Sequence, residues 1–122
     1  MCSSDLLELD SNLGRLPEAI ELSIFRIVQE GLSNVRRHAQ ANRVEIALTH
    51  TSPRNLMISI ADNGSGLAEG FDLSVLATQG HYGLLGISER VALLGGSLRL
   101  QNQTNGGLQI QVEIPHPRVT TI

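Results

Sequence analysis

Apolar residues recur along this chain with two different periods, and the changes of period divide it into elements. Between Pro17 and about Gln40, the residues Ile20, Ile24, Ile27, Val28, Leu32 and Val35 return every three or four positions, which places them on one helical face. Glu18 and Glu21 near the start and Arg36 and Arg37 near the end suit the helix dipole, and Pro17 suits a first helical turn. A long amphipathic helix is predicted there. Strict alternation then takes over: Val44, Ile46 and Leu48 within Arg43 to His50, and Leu56, Ile58 and Ile60 within Asn55 to Asp62, joined by the turn residues Ser52, Pro53 and Arg54. That is the signature of a β-hairpin.

From Asn63 to Tyr82 neither period holds, and Gly64, Gly66, Gly70 and Gly80 mark a loop of unusual length for so small a protein. Loops of this kind are usually functional. Ile87, Val91 and Leu94 restore a helical period from about Gly86, and Gly95-Gly96 suits the end of that helix. Two more alternating runs follow, Ser97 to Asn102 and Leu108 to Ile114, linked by a turn over Gln103 to Gly107 and ended by Pro115 and Pro117. With a short apolar strand over Leu6 to Asp10 and a turn over Ser11 to Leu16, the order is β, α, β, β, loop, α, β, β. It predicts a two-layer α/β sandwich, a helical layer on one face of a mixed, mostly antiparallel sheet, as a single domain over residues 1–122.

Composition narrows the function. A net charge of −3 and only nine basic residues, all arginine, give no footprint for nucleic acid. Without lysine there is no Walker A loop, Schiff base or lysine general base. Cys2 has no partner for a disulfide or a zinc site, which suits a reducing, cytoplasmic setting. No apolar run reaches the roughly 20 residues of a membrane span, so no direct membrane contact by this domain is expected, whatever anchors a longer parent. Phe25, Phe71 and Tyr82 are the only aromatics and cannot build a stacking platform for bases.

Three clusters carry chemistry. Glu30, Asn34, Arg37 and His38 are spaced three and four apart on the long helix. An asparagine carbonyl suits Mg²⁺, Glu30 can orient a metal-bound water or act as a base, and Arg37 and His38 suit phosphates. Asp62-Asn63-Gly64-Ser65-Gly66 arrives at a strand end, where a held carboxylate suits an exocyclic amine such as adenine N6. Gly80 to Gly86 leads into a helix, whose first amides suit an anion. Each also has an ordinary reading: a solvated helix face, an Asp-Asn-Gly turn, a flexible linker before a helix.

Together they are more specific. The run from Arg26 to Ala39, RIVQEGLSNVRRHA, strongly resembles the N box of histidine kinases of the nitrate-sensor (NarL-partner) subfamily. Asp62 to Gly66 resembles the G1 box, and Gly80 to Arg90 with Gly95-Gly96 resembles the G2 region and its helix. The resemblance implies the Bergerat (GHKL) ATP-binding fold, with ATP between helices and a lid formed by the loop after Asp62. It implies Mg²⁺ on Asn34, assistance from Glu30, phosphate contacts from Arg37 and His38, and adenine on Asp62 with Gly64 and Gly66 shaping its pocket. Gly83 and Gly86, with the backbone of Leu84 and Leu85, would cradle phosphates.

The implied activity is donation of the γ-phosphate of Mg·ATP to a histidine on a separate dimerisation domain, for passage to a response regulator. That phosphoacceptor segment is absent: none of His38, His50, His81 or His116 sits in an acceptor motif. One departure concerns Leu108, which follows Gly107 where family members usually carry threonine or serine to hold adenine through water. Two other readings stay open, a GHKL ATPase in which Glu30 activates water, and an interaction module with a degenerate nucleotide pocket.

Overall fold

The computed structural model describes residues 4–9, 16–52, 55–66, 82–104 and 106–115, with backbone alone for residues 4–9, His38, Ala39 and Tyr82. The strands are β1 (Ser4–Leu9), β2 (Arg43–Ser52), β3 (Asn55–Asp62), β4 (Ser97–Asn102) and β5 (Leu108–Pro115). The helices are α1 (Glu18–Asn34), continued by a π-helical turn over Val35–Ala39, and α2 (Tyr82–Leu93). The strands form one sheet in the order β1-β2-β3-β5-β4. β1 runs parallel to β2, and the three other neighbouring pairs are antiparallel, so the sheet is mixed and mostly antiparallel as expected.

The alternation in the strands decides which face is covered. Leu56, Ile58, Ile60 and Asp62 of β3 and Leu108, Ile110, Val112 and Ile114 of β5 are buried, while the residues between them are half-buried. Register pairs Ile60 with Ile110 and Ile58 with Val112, so the two apolar rows form one surface. Ile20 and Ile27 of α1, Val35 beyond it, and Leu84, Ile87 and Val91 of α2 close over that surface to complete the core. Burying one such aliphatic side chain stabilises the fold by about 1.5–3 kcal/mol, so this seam dominates the energetics. The other face carries Glu45, Ser59, Gln109, Gln111 and Glu113, where Gln109 Nε2 donates to Ser59 Oγ at 3.2 Å.

β1 lies earlier than the expected Leu6 to Asp10, β2 runs two residues past His50, and each helix differs at one end from the sequence expectation. The long helix does not stay α-helical to Gln40: it widens into the π turn and stops at Gln40, whose φ of 52° is left-handed. The second helix starts at Tyr82 instead of about Gly86, because Leu84 at 0% exposure joins Ile87 on the buried face and draws the preceding residues into the helix. Its end follows the glycine signal. Gly95 N–H donates to the Ala92 carbonyl and Gly96 N–H to the Val91 carbonyl, the paired bonds of a Schellman motif. Most of the proposed lid, residues 67–81, and the turn at Pro53-Arg54 lie outside the described residues, as do Cys2 and His116. Among the described residues, no helix is long and apolar enough to cross a membrane.

Candidate functional site

Asp62 ends β3 on the helix-facing side and is only 3% exposed. A carboxylate buried there needs partners, and the local backbone supplies them: Oδ1 accepts the Gly64 N–H at 2.8 Å and the Leu108 N–H at 3.3 Å. The Asp62 carbonyl accepts from Gln103 Nε2 at 2.6 Å. Gly107 lies against that same carbonyl so closely that a Cβ there would sit 1.9 Å from the oxygen, and its φ is +94°. Only glycine meets both conditions. Leu108 thus takes part through its amide while its side chain is core.

Asn63 does a structural job. Its Oδ1 accepts the Asn42 and Arg43 amides at 3.1 and 3.0 Å, and its Nδ2 donates to Asn42 Oδ1 at 2.6 Å. These bonds pin the start of β2 to the end of β3. Since only Gln40 to Asn42 separate the π turn from β2, at under about 3.6 Å per residue the end of the long helix is held at the Asp62 end of the sheet. Gly31 reinforces this, because α1 comes so near β3 that a Cβ on Gly31 would lie 2.5 Å from Ile60 Cδ1.

Of the four expected helix residues, Glu30 and Asn34 are brought against α2. A Cβ on Gly83 would stand 3.2 Å from the Glu30 carbonyl oxygen and 3.9 Å from Asn34 Cβ. Asn34 is 5% exposed. Glu30 points its carboxylate at α2, and a Cβ on Gly86 would meet its Oε2 at 2.8 Å. Arg37 is exposed on the π turn, where each residue turns through less than in an α-helix, which shifts it relative to Glu30 and Asn34. The side chain of His38 lies outside the described residues, as do Gly80 and His81.

The first amides of α2 have no intrahelical acceptor, and Gly83, which is among them, lies beside Asn34, while the Gly86 amide falls within the helical ladder. Gly66, with φ of +72°, packs toward Asn102 and Gly107 and so ties the start of the long loop to the β4–β5 turn.

The donor set fits Mg²⁺ bound with phosphates. Among the described residues there is no cluster of three His, Cys, Asp or Glu that could cage a metal, whereas Asn34 offers an amide oxygen and Glu30 a buried Oε2 with no hydrogen-bond partner. A cavity of about 380 Å³ lies at the same end of the sheet, lined by Arg43, Glu45, Ala61, Asp62, Asn63 and Gln103. Sequence reasoning missed Gly107, Gln103 and Arg90. Arg90 had a signal, its i+4 spacing from Gly86, but nothing local tied that stripe to Glu30.

A two-layer sandwich with a buried strand-end carboxylate and a helix N-terminus laid beside an asparagine is the arrangement expected of a nucleotide-binding domain. Over residues 19–118 the chain matches the histidine kinase-, DNA gyrase B- and HSP90-like ATPases, and it belongs to that family. It is 38% identical over 101 residues to the signal transduction histidine-protein kinase/phosphatase DegS of Brevibacillus brevis, covering 83% of this chain and 25% of that protein. It is 37% identical over 100 residues to the kinase/phosphatase UhpB of Salmonella typhimurium, covering 82% of this chain and 18% of that one. The solved blue-light activated histidine kinase of Erythrobacter litoralis EL346 shares the fold, with a TM-score of 0.78 at 21% identity, over 100% of this chain and 38% of that one. The chain therefore spans a quarter or less of the length of these two relatives, and it is an ATP-binding domain of the histidine-kinase type.

Proposed function

We propose that this domain holds Mg·ATP between α1 and α2 and presents its γ-phosphate to a histidine on a separate dimerisation domain, from which a response regulator takes the phosphoryl group. In this reading residues 1–122 form one catalytic domain of a larger kinase, of the nitrate-sensor type that the Arg26 to Ala39 run resembles. The observation that carries it is the buried Asp62 carboxylate, held by the Gly64 and Leu108 amides at the strand end. A fixed acceptor of this kind suits the adenine amine and rejects the guanine O6.

Asn34 would hold Mg²⁺, which when bound bridges and neutralises the phosphates. Glu30 would orient the attacking group or a metal-bound water, and the first amides of α2 at Gly83, Leu84 and Leu85 would take phosphate oxygens. Gly86 serves the site by leaving room for Glu30, and Gly64 and Gly66 by shaping the loop around Asp62. Arg37, exposed on the π turn, and His38 would approach the phosphates from the other side. Catalysis of this sort is mostly positioning and charge neutralisation.

Calorimetric titration with Mg·ATP and Mg·GTP tests the reading. Saturable binding of ATP with GTP much weaker is expected. Equal affinity for both, or none for either at millimolar concentration, would favour a degenerate interaction module.

A further inference from the structure

Where α1 and α2 touch, one acid and one base face each other in a way that the nucleotide reading does not use. Glu30 Oε1 and Arg90 Nη2 are 3.8 Å apart, with both side chains about one-third exposed at 30% and 32%. Glu30 Oε2 and Arg90 Nε are buried and have no hydrogen-bond partner. Gly86 precedes Arg90 by one helical turn, so the two lie one above the other on the same face of α2. The missing side chain of Gly86 opens a notch, and the Glu30 carboxylate occupies it, since a Cβ there would come within 3.1 Å of its Cδ and its Oε1 as well as 2.8 Å of Oε2. The notch and the guanidinium above it therefore act together on one carboxylate.

We propose that Arg90 is a positioning residue for Glu30: with Gly86 it holds the carboxylate at one place against the start of α2. This rests on the functional reading above, in which Glu30 serves the phosphate end of the nucleotide. The physical case is one of restriction. A glutamate on a helix surface samples several rotamers, whereas this one is bounded by the α2 backbone on one side and a cation on another. Arginine suits the task because its stem packs along α2 while the planar head reaches across to α1. The two atoms left without partners, one on each side chain, are donor and acceptor of opposite charge, so a small rotation or one bridging water joins them. The position of the catalytic carboxylate is thereby tied to the helix whose first amides face the phosphates, and any movement of α2 moves both together.

The test uses the whole chain as Arg90→Met, Arg90→Lys, Glu30→Gln and the double variant Glu30→Gln/Arg90→Met. Methionine keeps the apolar stem, and lysine keeps the charge, so a fold defect in one variant does not silence the other. The Arg90 Nε–H resonance is followed in the nucleotide-free chain, Mg·ATP affinity is followed by calorimetry, and turnover is followed as γ-phosphate transfer to a histidine-bearing dimerisation domain supplied in trans. Arg90→Met is expected to slow turnover at saturating Mg·ATP by about ten- to a hundredfold while affinity stays within about twofold. Arg90→Lys recovers part of the loss, the Glu30→Gln background shows no further loss, and Glu30→Gln shifts the Nε–H signal. Equal losses with and without Glu30, affinity falling in step with turnover, or an Nε–H signal indifferent to Glu30→Gln would overturn the proposal. A wild-type chain that binds no Mg·ATP overturns the functional reading and the role of Arg90 with it, and the Nε–H signal then still tells whether the pair exists.

Discussion

Replacing Asp62 in two ways separates what its carboxylate does for the fold from what it does for a ligand. Asp62→Ala removes the acceptor of two backbone amides, one of which belongs to Leu108, a residue only 2% exposed. A hydrogen bond to a charged group contributes about 1.5–3 kcal/mol, and the 3.3 Å bond from Leu108 belongs at the weak end, so the loss is about 3 kcal/mol. In a domain of this size that lowers the melting temperature by roughly 10 °C. Asp62→Asn behaves differently. Its Oδ1 still accepts both amides, and the side chain cannot flip, because Nδ2 would then face two donors. Stability should therefore stay within about 1 kcal/mol of wild type. The other terminal atom, however, changes from an acceptor to a donor, which opposes the adenine amine and suits guanine O6. ATP affinity is expected to fall by about 30- to 100-fold, equivalent to about 2–3 kcal/mol, and the preference for ATP over GTP to shrink. Thermal melting and calorimetry read the two effects separately. Wild-type ATP affinity in Asp62→Asn would refute the adenine assignment, and equal melting temperatures for the two variants would refute the role given to the amides.

Three further outcomes follow from the same geometry. Gly107→Ala must relieve both a positive φ and a contact with the Asp62 carbonyl, so a loss of about 3–4 kcal/mol is expected, and an unchanged urea midpoint would show that the β4–β5 turn is more yielding than drawn. Gly86→Ala gains about 1 kcal/mol of helix propensity but displaces the Glu30 carboxylate, so the melting temperature should barely move while γ-phosphate transfer to a dimerisation domain supplied in trans falls about tenfold; a variant as active as wild type contradicts this. Asn34→Ala should abolish the gain in ATP affinity on adding Mg²⁺ and leave metal-free ATP binding within about threefold, and a full Mg²⁺ effect in that variant would move the metal off Asn34.

Much of the fold was legible because it is written in local periods. The β-hairpin at Arg43 to Asp62, the last two strands and the glycine stop at Gly95-Gly96 each depend on residues close together in the chain, and each lies within a few positions of where the pattern puts it. The helix ends were not legible to the same degree. The π turn at Val35–Ala39 leaves no composition signal, and the early start of α2 at Tyr82 reflects Leu84 entering a core whose other members come from four different elements.

The site divides in the same way. The pattern of residues by itself determined that a carboxylate stands at the end of a strand, that an acid and an asparagine share a helix, and that a glycine-rich stretch meets a second helix, since each is a matter of spacing along one element. Only the tertiary structure decided which backbone amides hold Asp62, that Gly107 is required by the Asp62 carbonyl, and that Gly86 makes room for Glu30 instead of lending its amide to a phosphate. These are contacts between elements that are remote in sequence, set by how closely α1, α2 and the β4–β5 turn approach the sheet. A one-dimensional pattern carries which face is buried; it does not carry the distance between two buried faces, and that distance is what makes a glycine necessary or an arginine a neighbour.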